Sequence, residues 1–183
     1  VDIYEKQDRY ARTGLGLLLM PNGMEALDYL GLGEDIRSRS NPLDLAVLRS
    51  ADGSNLSQHR LEGLRGIARL DLLTLLEQGV DHSKVHWQQP LVSVAFMPDH
   101  VAVGVGERVV DVDLVIGADG ARSTLRSFLV PDYKAQTCQV TELVSVCDAP
   151  DIAAQYDRTF VKHLAPEGRL AVGMLPASHG RVV

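Results

Sequence analysis

Cysteine is nearly absent, with only Cys138 and Cys147 in 183 residues. Neither stands at ligand spacing to the other or to a histidine, so neither a zinc site nor a disulfide framework organises the fold. A reducing, cytoplasmic setting is the expectation. No Lys/Arg block is dense enough to follow a phosphate backbone, and 18 basic against 24 acidic residues leave a net charge of -6. A nucleic-acid partner is therefore not expected. Long apolar runs are missing as well. The longest, Leu15 to Pro21, is far too short to span a bilayer, so no membrane partner is expected. There is no internal repeat and no low-complexity tract. The six histidines, His59, His82, His86, His100, His163 and His179, fall mainly in expected turns and strand ends and read as surface residues. No nucleophile triad, metal cluster or carboxylate pair stands out.

What is present is the composition of an ordinary globular protein, 45% hydrophobic and 23% charged. A chain of this length builds one sizeable core, or one domain and part of a second. Val1 to Glu5 alternates like a strand, with Val1, Ile3 and Tyr4 expected to face a packed sheet. Arg181 to Val183 opens another strand after a Leu170–Leu175 strand and a turn over 176–180. With no initiator methionine, the expectation is that the chain begins and ends inside a fold. Between these ends, a loop with Gly14 and Gly16 leads to a helix over about 22–30, stopped by Gly31 and Gly33. Leu43–Arg49 and Asn55–Leu61 flank Ala51-Asp52-Gly53-Ser54, a strong hairpin signal. Arg69–Gln78 is predicted helical and ended by Gly79. Short strands are predicted at Val85–Trp87, Leu91–Met97, His100–Val105 and Arg108–Val110, with Pro98-Asp99 as a turn and Trp87 as core packing.

The stretch DLVIGADGARSTLR, residues 113–126, carries the most chemistry. Leu114-Val115-Ile116 reads as a strand buried on both faces of a parallel sheet. It runs into Gly117-Ala118-Asp119-Gly120, after which Ser123 is a plausible N-cap for a helix containing Leu125 and Arg126. Small residues and free backbone N–H groups at the carboxyl edge of a sheet let a phosphate-bearing ligand reach the main chain. A tight ligand-free connection accounts for those four residues equally well. Glu5, at a strand end, can accept hydrogen bonds from both hydroxyls of a ribose. Arg69, opening a helix, can donate a forked pair to a pyrophosphate or ribityl oxygen.

Taken in order, Glu5, the loop RTGLGLLLMPNGMEALDYLGL, the segment IARLDLLTLL and DLVIGADGARSTLR resemble the FAD-dependent aromatic-ring monooxygenases, the family of para-hydroxybenzoate and salicylate hydroxylases. Gly14-Leu15-Gly16 with Pro21-Asn22 resembles that family's G-x-G-x-x-L-x-P-N loop. Arg69 with Leu72 or Leu73 and Leu76 resembles its R-x-x-L-x-x-L helix, and Gly117 to Arg126 resembles its Asp-Gly motif. The likeness spans roughly residues 1–130, and the last motif is its most specific part. It implies an α/β fold: a Rossmann-like FAD-binding domain, incomplete for want of its first strand-turn-helix, with an inserted, partly present β-sheet substrate domain. The domains implied are 1–40 with 62–130 for FAD, and 41–61 with 131–183 for substrate.

By the same resemblance, Glu5 meets the adenosine ribose and Lys6 lies beside the adenine. Arg69 touches the ribityl or pyrophosphate region. Leu91 packs on the adenine side, where an ordinary core leucine is an equally good account. Asp119 and Gly120 lie on the pyrophosphate path and along the groove visited by NAD(P)H. Arg12 meets the cofactor or its nicotinamide donor, or is a solvated loop arginine. Leu18 faces the flavin where some members carry a polar residue or histidine, which implies a more apolar site here.

The family's chemistry lies mostly in its cofactor. NAD(P)H reduces the flavin, O2 forms a flavin C4a-hydroperoxide, and its distal oxygen attacks an electron-rich aromatic substrate. The protein excludes water and holds the ring in reach. Two departures stand against this: no G-x-G-x-x-G precedes Glu5, and no second Gly-Asp motif follows Leu175. The chain is therefore expected to be an internal piece of an enzyme that binds FAD poorly by itself. A related FAD-domain reductase or halogenase, and a non-catalytic piece without flavin, are the alternatives.

Overall fold

The computed structural model describes residues 1–8, 15–81, 84–136 and 138–183. In chain order the elements begin with β1 (Ile3–Tyr4), β2 (Gly16–Leu19), α1 (Pro21–Tyr29), α2 (Gly33–Ser38), β3 (Asn41–Ser50), β4 (Asn55–Ala68) and α3 (Arg69–Gln78). They continue with β5 (Val85–His86), β6 (Leu91–Phe96), β7 (Val101–Val105), β8 (Arg108–Val112) and α4 (Thr124–Leu129). The last are β9 (Cys147–Asp148), α5 (Pro150–Tyr156), β10 (Thr159–Leu164), β11 (Ala171–Met174), β12 (Pro176–Ala177) and β13 (Arg181–Val182). The mixed α/β class expected from the sequence is the one observed. These elements form two compact units, Val1–Arg12 with Val80–Thr141, and Thr13–Gly79 with Glu142–Val183.

The second unit is built on a five-stranded sheet of order β11-β10-β3-β4-β2. The hairpin β3/β4 forms as its Asp-Gly signal predicts, and Gly53 takes the positive φ of 88° that the turn requires. Its strands are longer than the alternation suggested, because β4 continues to Ala68 to pair with β2 as well. Strand β10 then lies parallel to β3, from Thr159 opposite Leu45 to Leu164 opposite Ser50. One face of α1 supplies Met24 and Leu27 to a core completed by Ile36, Ile67 and Leu75. Ile36, Ile67 and Leu75 are wholly removed from solvent, each contributing about 1.5–3 kcal/mol of burial.

Pro21 opens α1 at a position where its missing N–H costs nothing. Gly33 does not close that helix, contrary to expectation. It is the first residue of α2, whose opening turn holds Glu34 and Asp35, the charge sign favoured at a helix N-terminus. At the other end of α2, Arg65 of β4 donates to the carbonyls of Arg37 and Ser40 at 2.9 Å and to Ser40 Oγ at 2.6 Å. Partial burial, with the charges of Arg37 and Arg158 nearby, lowers the Arg65 pKa.

The first unit holds the antiparallel meander β6-β7-β8 and the two-residue parallel pair β1-β5. Val103 and Val105 of β7 and Leu125 of α4 are its buried apolar side chains. Three expectations fail here. Leu114-Val115-Ile116 is not a buried strand: it has no ladder partner among the described residues, and Leu114 and Ile116 are 73% and 80% exposed. Three apolar residues make a buried strand only when neighbouring strands cover both faces, and none of the described strands does. Val1, Ile3 and Tyr4 are likewise exposed, since among the described residues β1 pairs with β5 alone. Trp87 is half-buried rather than a core residue.

Candidate functional site

In the first unit, Glu5 follows β1 directly. Its backbone N–H donates to the His86 carbonyl at 3.0 Å and its carbonyl accepts from Gln89 N–H at 2.9 Å. These two bonds fix the residue at the end of the parallel pair. Its Oε1 accepts from the Gln7 N–H at 2.8 Å, which leaves Oε2 available to a ligand hydroxyl. Lys6 is exposed, as a side chain reaching for a ligand requires. Leu91 is half-buried at the start of β6, opposite Val105. Behind this edge, Tyr4 and His86 stack with ring centroids 4.8 Å apart, and His86 Nε2 lies 3.0 Å from Asp2. That hydrogen bond lowers the Asp2 pKa.

The Asp-Gly turn is a helix-capping device as well as a ligand candidate. Asp119 Oδ2 accepts from the N–H groups of Thr124 at 2.6 Å and Leu125 at 3.1 Å. Ser123 Oγ accepts from the Arg126 N–H at 2.9 Å and is the N-cap expected from the sequence. A hydrogen bond from Ser123, with those from the Leu125 and Thr124 amides, holds the Asp119 carboxyl below the usual carboxylate range. Gly120 adopts φ of 81°, and a Cβ built there would meet nothing within 4 Å. Conformation demands the glycine, and the space beside it is open to a ligand.

Beside this turn lies a groove of about 270 Å³ lined in part by Arg122, Ser123, Arg126, Ser127 and Tyr133. The Arg126 guanidinium carbon sits 4.3 Å from the Tyr133 ring centroid, and its terminal nitrogen donates to the Ala121 carbonyl. Its Nε is buried without a partner among the described residues. Arg122 and Tyr133 were not singled out by the sequence. An arginine spacing of 122 and 126 on a predicted helix start was the only available signal, and Tyr133 lies beyond the motif.

In the second unit, Arg69 is the first residue of α3, and its N–H donates to the Leu15 carbonyl at 2.6 Å. Its half-buried guanidinium makes no hydrogen bond or ion pair with any described residue. A cation held at a helix start with no partner among the described residues is ready for an anionic or hydroxylated ligand. Leu18 sits opposite Gly66 in the β2/β4 ladder and is 40% exposed, an apolar side chain left open on the surface. Arg12 and Gly14 lie outside the described residues. Thus Glu5, Lys6, Leu91, Asp119 and Gly120 belong to one unit, and Leu18 and Arg69 to the other. Among the described residues no group of histidine, cysteine and carboxylate side chains could hold a metal ion, and no helix is long and apolar enough to cross a membrane.

Each unit by itself carries groups that a flavin dinucleotide can use: in the first, the spare Glu5 oxygen and the open backbone at Gly120, and in the second, the Arg69 guanidinium, which has no partner among the described residues. Comparison with known proteins gives the same direction. No protein-family model matches the chain. It is 32% identical over 141 residues to the 3-amino-4-hydroxybenzoate 2-monooxygenase of Streptomyces cremeus, covering 71% of this chain and 36% of that protein. It is 32% identical over 161 residues to the kynurenine 3-monooxygenase of Salinispora tropica, covering 76% of this chain and 35% of that protein. The chain thus spans about a third of the length of these relatives. Among solved structures, Klebsiella pneumoniae HpxO in complex with FAD and uric acid superposes with a TM-score of 0.75 at 20% identity, over 99% of this chain and 48% of that one.

Proposed function

We propose that the whole protein carrying this chain, a sequence relative of the FAD-dependent monooxygenases, hydroxylates a small aromatic or heteroaromatic substrate with NAD(P)H and O2. The observation that carries this reading is the half-buried Arg69 at the start of α3, whose guanidinium makes no hydrogen bond or ion pair with any described residue. FAD, when bound, supplies the electron transfer and the oxygen activation. The residues of this chain bind and orient. Glu5 accepts hydrogen bonds from ribose hydroxyls through its spare oxygen, with Lys6 beside the adenine and Leu91 packing on the adenine side. Arg69 donates to the ribityl or pyrophosphate oxygens, and Leu18 supplies an apolar, water-excluding surface near the ring system. Asp119 holds α4 in place while Gly120 lets the cofactor approach the main chain. Arg12 adds a cation toward the cofactor or its donor.

The groove at Arg122 and Tyr133 is proposed as the approach of the nicotinamide donor, since it offers a cation, hydroxyls and an aromatic face to an anionic, planar molecule. The domain division proposed is functional: 1–40 with 62–130 serve the cofactor, and 41–61 with 131–183 serve the substrate. The test is to purify the whole protein and follow NAD(P)H and O2 consumption with a panel of hydroxylated and amino-substituted benzoates and pyridines. A coupled, substrate-dependent oxidation yielding a hydroxylated product is expected. Flavin that oxidises NAD(P)H with no oxygen ever entering an aromatic product would favour the reductase alternative.

A further inference from the structure

Asp71 and Arg181 are 110 residues apart in sequence and form an ion pair in the second unit, with side chains only 20% and 19% exposed. Ser178 completes the contact: its Oγ donates to Asp71 at 3.5 Å, its carbonyl accepts from Arg181 Nε at 3.1 Å, and its Oγ lies 3.3 Å from the Arg181 terminal nitrogen. Arg181 belongs to β13, and the segment it closes is rigidly made. The N–H groups of Leu175 and Val183 each donate to the other residue's carbonyl, at 3.0 and 2.9 Å. Pro176 is fully buried, and its carbonyl lies so close to Gly66 of β4 that a Cβ there would stand 2.3 Å from it.

Such a pair is a poor stabiliser. Two charges withdrawn this far from water lose solvation that their attraction only roughly repays, and the better-attested use of such pairs is to fix one geometry. The helix is held down without it, because Leu75 is wholly buried and Ile67 and Ala68 lead into it. What the pair does fix is rotation and register at the first turn of α3. Residues i and i+2 of a helix point about 200° apart, so gripping Asp71 turns Arg69 to the opposite side of the helix.

We propose that Asp71 and Arg181 are positioning residues for Arg69, holding the first turn of α3 so that the Arg69 guanidinium stands where it meets the flavin cofactor. The inference rests on the reading of Arg69 as a cofactor contact. It requires that Asp71 and Arg181 act on the cofactor only through Arg69.

The experiment uses the whole protein stripped of flavin, in six forms: wild type, Arg69→Ala, Arg181→Gln, Arg181→Lys, Asp71→Asn and Arg69→Ala/Arg181→Gln. Two quantities are read, FAD affinity by flavin fluorescence and amide exchange of residues 69–74 without FAD. Arg181→Gln and Asp71→Asn are expected to weaken FAD binding about 10-fold and to speed exchange in that first turn. Arg181→Lys, keeping one charged hydrogen bond, is expected to recover part of both. In the Arg69→Ala background, Arg181→Gln is expected to cost nothing further. Full additivity of the two substitutions, with Arg69→Ala itself weakening binding, overturns the positioning role alone. An Arg69→Ala protein that binds FAD like wild type overturns the cofactor reading of Arg69, and the proposal with it. Where Arg181→Gln fails to fold, Asp71→Asn alone and combined with Arg69→Ala decides the same question.

Discussion

Asp119 and Thr124 are joined by a 2.6 Å hydrogen bond from the Thr124 N–H to the Asp119 carboxylate, which makes the acidic residue of the Gly-Ala-Asp-Gly turn the clamp on the helix that follows it. The Leu125 N–H donates to the same oxygen. A residue expected to face a ligand thus also satisfies two of the amides that a helix N-terminus leaves unpaired.

That double duty sets a pH dependence. The folded-state pKa of Asp119 lies below its ordinary value of 3.8, through its hydrogen bond with Ser123 and those from the amides. A depressed carboxylate contributes stability that is fully present above the unfolded pKa and is lost as pH falls through the folded one. Acid titration followed by NMR is expected to show the Asp119 carboxyl titrating below the ordinary aspartate value of 3.8. Asp119→Asn should remove that part of the acid destabilisation. Asp52, held at about 2 by Ser50 and Ser54, acts with the same sign.

Ser123→Ala removes the side-chain acceptor of the Arg126 N–H. The expected cost is about 1 kcal/mol of stability, read as a lower midpoint in urea with an unchanged slope.

Gly66→Ala is expected to be far more damaging than its size suggests. The added Cβ would stand 2.3 Å from the Pro176 carbonyl, a backbone atom that cannot rotate away. A loss of about 1–3 kcal/mol is expected, measured by thermal unfolding. Gly23→Ala, where a Cβ meets nothing within 4 Å, is the control and should be neutral or stabilising.

Arg122 is exposed at the groove beside α4. Arg122→Ala is expected to raise the KM for NAD(P)H several-fold, with FAD affinity and thermal stability unchanged. Steady-state kinetics at saturating aromatic substrate reads the first, and flavin fluorescence the second.

Local signals were legible in the sequence and distant ones were not. Helix α3 begins at Arg69 and ends at Gln78 as its leucine spacing and Gly79 predict. The β3/β4 turn follows its Asp-Gly pair, and Ser123 caps α4. What failed depended on partners elsewhere in the chain. Leu114 to Ile116 has the composition of a buried strand but no described strand pairs with it. The parallel pairing of β10 with β3 joins segments more than a hundred residues apart, and no period within either strand announces it. Helix α5 is a seven-residue element with no buried side chain, so it left no apolar stripe to read. Among the candidate site residues, the positions of Glu5 and Arg69 were legible because a strand-end acid and a helix-start arginine are local features. Their anchors, the His86 carbonyl for Glu5 and the Asp71–Arg181 pair beside Arg69, are contacts that only the folded chain brings together.

Whether this chain contributes to an FAD site through Arg69 is read from an FAD titration of the whole flavin-free protein, wild type beside Arg69→Ala. Saturable binding of FAD by the wild type is expected, about 10- to 100-fold weaker when the charged hydrogen bonds of Arg69 are removed, with thermal stability unchanged. A wild-type protein that does not bind FAD, or one whose affinity ignores the loss of Arg69, would contradict that contribution.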